Sequence, residues 1–160
     1  MNNRKILSSF LIFSLLTSLT NPNILAKEKI SNEKITDRDY NTINENKFTF
    51  DKKSGTITKY IGEDKNIVIP NKIKGEAVKK IGKKAFFKTK VEKVTISEGI
   101  ETIESGAFLG VNSLKEINFP NSLKKIGEMS FFKTSLSEIK LDEGLLEIGK
   151  RAFSNCSNLA

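Results

Sequence analysis

From Ile67 onward the chain repeats itself, and this repetition restricts the fold more than any other property. One copy runs Val94-Thr-Ile-Ser-Glu-Gly-Ile100-Glu-Thr-Ile103, followed by Ala107-Phe108 and then Leu114. The next runs Ile117-Asn-Phe-Pro-Asn-Ser-Leu123-Lys-Lys-Ile126-Gly127, then Ser130-Phe131 and Leu136. A third runs Ile139-Lys-Leu-Asp-Glu-Gly-Leu145-Leu-Glu-Ile148-Gly149, then Ala152-Phe153 and Leu159. An earlier copy reads Ile67-Val-Ile-Pro70, Val78-Lys-Lys-Ile81-Gly82, Ala85-Phe86 and Val91, with an insertion around Ile73 to Ala77. Ile117 follows Val94 by 23 residues, and Ile139 follows Ile117 by 22. A unit this short cannot bury its apolar face alone, so only stacked copies make a core.

Each recurring letter has a physical reading. Leu114-x-x-Ile117-x-Phe119 ends in alternation, the mark of a strand with one inward face. Leu123-x-x-Ile126 sends two more apolar side chains inward after a turn. Gly82, Gly127 and Gly149 suit tight corners. The Ala-Phe pair belongs to a short helix or turn, where the small residue permits close approach and the ring fills the coil. Stacking then predicts a column of Phe86, Phe108, Phe131 and Phe153, each ring contributing about 1.5–3 kcal/mol on full burial.

The pattern resembles the BspA-type leucine-rich repeat, whose copies read approximately L-x-x-I-x-I-P-x-x-V-x-x-I-G-x-x-A-F-x-x-C. The period lies within the leucine-rich-repeat range. The resemblance covers residues 67–160. Glu104 departs from it at a corner glycine, Ser130 departs at the alanine, and Pro stands only at 70 and 120 of the strand ends. The implied fold is a leucine-rich-repeat solenoid, with short parallel β-strands and short helices or turns in each 22–23-residue repeat. Residues 47–60, KFTFDKKSGTITKY, alternate on both sides of Ser54-Gly55 and predict a β-hairpin. With the residues up to 66 it is expected to form an N-terminal β-hairpin cap. Four repeats are expected over 67–160. The last one stops at Asn158-Leu159-Ala160, where the next strand pattern is due, so the sequence is expected to be open at this end and to continue or to pair with another chain.

The beginning of the chain reads as an address. Arg4 and Lys5 precede the apolar run ILSSFLIFSLLTSL, and Ala26 offers a small residue for cleavage. This is the order of a secretory signal peptide over 1–26, with a run too short to span a bilayer. Residues 27–46 are polar, charged and without apolar periodicity, and read as a flexible spacer.

Composition narrows the chemistry. The chain has no His and one Cys. It therefore lacks the commonest general base and metal ligand, and it cannot form an internal disulfide. Cys156 stands where this repeat type often has Cys and reads as a small buried hydrophobe. Gly144-Leu-Leu-Glu-Ile-Gly149-Lys150-Arg151 nearly matches a phosphate-binding loop, but Arg151 replaces the required hydroxyl, and Leu145 and Ile148 are core positions of the repeat. Glu92, Glu101, Glu116, Glu138 and Glu147 are interleaved with Lys93, Lys115, Lys124, Lys125 and Lys140, a mixed ladder that reads as a solvated face or part of a recognition surface. No residue is assigned to catalysis, a cofactor or a metal, and no ligand-binding residue is named. The formal charge of +8 draws a protein toward acidic polymers, although interspersed glutamates favour a plain solubility role. The resemblance implies a bacterial surface or extracellular protein, non-catalytic, used in protein interaction or adhesion. Its expected partner is a protein or an acidic glycan at the cell surface, not nucleic acid, with no membrane span after signal cleavage. The alternative is a repeat spacer in a larger wall-anchored protein or extracellular enzyme.

Overall fold

A computed structural model of the chain describes residues 45–159. The expected signal peptide at 1–26 and nearly all of the expected spacer at 27–46 lie outside the described residues. The elements in order are β1 (Phe48–Asp51), β2 (Thr56–Tyr60), β3 (Asn66–Ile69), β4 (Lys72–Ile73), β5 (Glu76–Ala77), β6 (Lys80–Ile81), β7 (Lys93–Ile96), β8 (Thr102–Ile103), β9 (Glu116–Asn118), β10 (Lys125–Ile126) and β11 (Glu147–Ile148). They coil into a β-solenoid of about four turns.

Two sheets run along the coil. One has the order β1-β2-β6-β8-β10-β11, the other β3-β7-β9. Every pairing between successive turns is parallel, and only β1 against β2 is antiparallel within the large sheet. The register aligns Ile57, Ile81, Ile103, Ile126 and Ile148 in one ladder. It aligns Ile67, Val94 and Ile117 in the other. The insertion around Ile73 to Ala77 is a small antiparallel hairpin, β4 against β5.

The Phe column is present. Phe86, Phe108 and Phe131 are fully buried. Their rings stack at 4.5 and 5.1 Å, and Phe131 stacks on Phe153 at 5.2 Å with the planes 2° apart. The backbone follows the same column. The N–H groups of Phe86, Phe108 and Phe131 donate to the carbonyls of Ala107, Ser130 and Ala152 in the next turn, at 2.7–2.8 Å. The Ala-Phe segments are therefore turns laddered like strands, and this settles the choice between helix and turn.

The column also reaches into the hairpin. Tyr60 stacks on Phe86 at 5.3 Å, and Phe48 tilts against Tyr60 at 5.2 Å. Tyr60 N–H donates to the carbonyl of Ala85, as each Phe does one turn later. Strand β2 is thus the first rung of the large sheet, supplying Ile57 and Tyr60 to the same two core rows. The repeat pattern hides this, because Tyr60 follows Ile57 by three residues where Phe86 follows Ile81 by five.

Three local readings change. The corner glycines 82, 127 and 149 are needed for close approach and not for a left-handed backbone. A Cβ on Gly127 would lie 2.5 Å from the Ser105 nitrogen, and one on Gly149 would lie 2.4 Å from the Glu128 nitrogen. Second, Ile139-Lys-Leu141 forms no strand. In register, Glu138 would stand beside Glu116, and like charges directly opposite disfavour pairing. A hollow of about 270 Å³ opens there instead, between Glu116 and Asn118 on one side and Ser137 and Glu138 on the other. Lys140 turns back to pair with Glu138 at 3.1 Å. Third, Cys156 is only half-buried. It does occupy the expected small position, where its thiol donates to the Phe131 carbonyl at 3.3 Å.

Exposure rises in the last turn. Ile126 is 0% exposed and its ladder partner Ile148 is 50%. Among the described residues, β11 has a neighbour on one side only.

Two stability tests follow from this packing. Phe131→Ala removes a fully buried ring with neighbours on both faces, so it is expected to cost about 3–5 kcal/mol. Lys124→Ala, on an exposed side chain, is expected to change stability by no more than about 0.5 kcal/mol. Urea unfolding measures both, and equal effects would refute the stacking. The second test concerns Ser130, which is fully buried and whose hydroxyl has no hydrogen-bond partner. Ala85, Ala107 and Ala152 hold the same place in the other turns. Ser130→Ala is expected to raise stability by about 1 kcal/mol, since an unsatisfied buried hydroxyl costs about that much or more. A lower midpoint for the variant would show that the hydroxyl is bonded.

Candidate binding surfaces

The strand geometry sends alternate side chains outward and spaces equivalent positions one strand apart along the coil. The mixed Glu/Lys ladder lies on these outer positions and in the residues beside them. Glu92 holds Lys65 of the preceding turn at 2.7 Å and Lys115 of the following turn at 3.2 Å. Lys93 pairs with Glu116, Lys79 with Glu101, and Lys125 with Glu147, each at 2.7–2.8 Å. Their lysine partners hold the carboxyls of Glu92 and Glu101 below the usual carboxylate range. Lys124 has no such partner, and its ammonium donates to the Gly144 carbonyl at 3.3 Å. Glu98 accepts the N–H groups of Asn121 and Ser122, one repeat away, at 2.9 and 3.2 Å. The ladder is therefore a set of links between turns. Each exposed link is worth little alone.

The near-match to a phosphate loop does not form a cradle. Glu147 and Ile148 within it are strand β11. The N–H groups of Leu146 and Glu147 donate to the Lys124 carbonyl, and that of Gly149 donates to Ile126. Three of the amides of this stretch are thus already used between turns, and those of Gly144 and Leu145 donate to Asp142.

A polar knot sits at the hairpin. Asp64 accepts from Lys47 at 2.8 Å and from the Tyr60 hydroxyl at 2.7 Å. The Lys47 ammonium and then the Tyr60 hydroxyl hold Asp64 below the usual carboxylate range. Burial, reinforced by the Asp64 carboxylate, pushes the Tyr60 hydroxyl up. The pair anchors the ring that begins the aromatic column, a role that sequence reasoning missed.

Among the described residues, no group of His, Cys, Asp or Glu could hold a metal ion. No described helix is long and apolar enough to cross a membrane.

The turns that carry the Phe column have a second regularity. Two positions in each are left-handed: Lys84, Gly106, Met129 and Arg151 at one, and Lys88, Gly110, Lys133 and Asn155 at the other, with φ between 49° and 69°. Beside them runs a partly exposed apolar row, Phe87, Leu109 and Phe132.

The family model for a BspA type leucine rich repeat region of six copies matches residues 79–160. The chain belongs to the BspA-type leucine-rich-repeat family. Solved structures agree with this membership. The pneumococcal vaccine antigen PcpA is 26% identical with a TM-score of 0.62, over 70% of this chain and 27% of that one. A leucine-rich-repeat protein of T. pallidum is 25% identical with a TM-score of 0.58, over 71% of this chain and 65% of that one. One from Bacteroides capillosus is 26% identical with a TM-score of 0.58, over 65% of this chain and 81% of that one. The BspA-type chain thus matches about a quarter of the pneumococcal antigen's length and just under two thirds of the treponemal protein's. A search of the curated proteins finds no match.

The Asp64 knot gives a pH prediction. A carboxyl whose pKa is depressed on folding adds stability above its ordinary pKa, near ~3.9, and loses it as pH falls through the folded value. Asp64→Asn is expected to melt below the parent at pH 7 and to converge with it in acid. Melting curves from pH 7 down to about pH 2 test this, and a constant offset would mean that Asp64 does not act through its charge.

Proposed function

We propose that this BspA-type chain is a secreted or cell-surface bacterial protein, non-catalytic, that mediates protein interaction or adhesion. The observation that carries the reading is the layered outer surface. Stacked turns hold rows of side chains at fixed spacing, the arrangement repeat proteins use for extended binding faces. Three further features support it. The sequence opens with the order of a signal peptide, its outer carboxylates are engaged with lysines, and the pneumococcal relative is described as a vaccine antigen. The division into a signal peptide at 1–26, a spacer at 27–46, a hairpin cap at 47–66 and repeats from 67 belongs to the same proposal. A second reading, a repeat spacer within a larger wall-anchored protein or extracellular enzyme, is favoured by the small share of PcpA that the chain matches.

Expression of the complete sequence in a bacterial host tests the localisation. The expected product begins at Lys27, lies outside the cytoplasm and is removed by protease added to intact cells. A product that keeps Met1 and stays in the cytoplasm would sink the reading. Adhesion is tested by binding the purified chain to immobilised host matrix proteins, with saturable binding expected. Exported protein that binds none of them would favour the spacer reading.

A further inference from the structure

The net charge is not spread evenly around the coil. The four Phe-bearing turns, residues 82–91, 104–113, 127–136 and 149–158, carry Lys83, Lys84, Lys88, Lys90, Lys133, Lys150 and Arg151 against only Glu104 and Glu128. That is a surplus of five, where residues 45–159 as a whole have 21 cations, 15 carboxylates and a surplus of six. Almost all the excess positive charge therefore lies along one ridge. All seven cations are exposed. Among the described residues none of the seven is in an ion pair, whereas eight of the other fourteen cations are.

The ridge has internal order. Lys84 and Lys88 place their ammonium groups 6.0 and 5.3 Å from the centre of the Phe87 ring, and Lys133 lies 5.6 Å from that of Phe132. Cation–π attraction of this kind holds ammonium groups beside an apolar surface. Lys84, Lys88, Lys133 and Arg151 also occupy left-handed positions, where a residue with a Cβ costs of order 1 kcal/mol. Gly106 and Gly110 fill both positions in the second turn, so glycine fits and the cations are held at a backbone cost.

We propose that this turn ridge is a binding site for a linear acidic polysaccharide. Its anionic groups would meet the unpaired ammonium and guanidinium groups, and its sugar rings would pack along Phe87, Leu109 and Phe132. Exposed cations outside ion pairs, carried by three of the four turns, concentrate a polyanion. The four turns span three strand spacings, roughly 14 Å. That length suits a few units of a narrow polymer. Single-stranded nucleic acid is held by stacking successive bases on aromatic faces, and here Leu109 interrupts the row between Phe87 and Phe132. A membrane surface needs several apolar side chains free to insert, and of this row only Phe87 is exposed while Leu109 and Phe132 are half-buried. The inference concerns a surface distinct from the strand faces, and it does not depend on the adhesion reading.

The test uses the purified full chain and heparin as the probe of a linear sulfated polysaccharide. Neutral dextran, a thymidine oligonucleotide and phosphatidylglycerol vesicles serve as comparisons. The triple variant Lys84→Asn, Lys88→Asn, Lys133→Asn keeps a residue that tolerates the left-handed backbone, as Asn155 already does in the last turn. Its melting midpoint checks that it folds. The control, Lys53→Asn, Lys72→Asn, Lys74→Asn, removes equal charge from the hairpins. Salt-sensitive binding to heparin and not to dextran is expected, weakened about tenfold or more by the ridge variant and much less by the control. Phe87→Ala is expected to weaken binding without changing its salt dependence. Equal losses in the two triple variants, absence of heparin binding, or tighter binding to the oligonucleotide or the vesicles would overturn the proposal.

Discussion

Everything in this molecule depends on one turn completing the next. A single copy offers a strand of two to four residues, a corner and one aromatic ring, far too little to exclude water from its own apolar face. When turns stack, the rings of Phe86, Phe108 and Phe131 are covered on both sides, the isoleucines form continuous rows, and the carbonyl of one turn takes the N–H of its neighbour. The hydrophobic and hydrogen-bonding requirements are met by the same translation, so neither can be satisfied alone. The corner glycines belong to this constraint. They stand where two backbones approach too closely for a side chain between them.

That translation also sorts the charges. Side chains at one repeat position are brought into a row, whatever their distance in sequence. Beside the strands, opposite charges fall in neighbouring rows and tie the turns together. On the Phe-bearing turns the cations of the first, third and fourth lack such partners. A chain whose charges look evenly mixed along its length thus has a nearly neutralised flank and a basic ridge. The mixed-charge reading of the sequence describes the strand side well and conceals the turn side.

The repeat register, the parallel strands and the Phe column were legible because each rests on a period, and a period survives in one dimension. Less was legible wherever the period breaks. Tyr60 was missed as the first ring because the segment from Ile57 is two residues shorter than in later turns. Ser130 was recognised as a departure, but its unsatisfied hydroxyl could be seen only once the turn was closed. The Ile139–Leu141 strand was expected from its apolar letters and is absent where in-register pairing would set Glu138 beside Glu116, a clash that only the register reveals. The candidate surface was the least legible part, since unpaired cations become a row only after folding.

The paired left-handed positions in each turn have a wider consequence. Across four layers they accept Lys, Gly, Met, Arg and Asn with nearly the same backbone angles. The side chains there point away from the core, so their chemistry is uncoupled from the packing that holds the coil. Such a scaffold can rewrite the character of one edge, from basic to neutral to polar, layer by layer and without repacking its interior. The stack supplies the ruler, and the turn positions supply a text that can be changed on it.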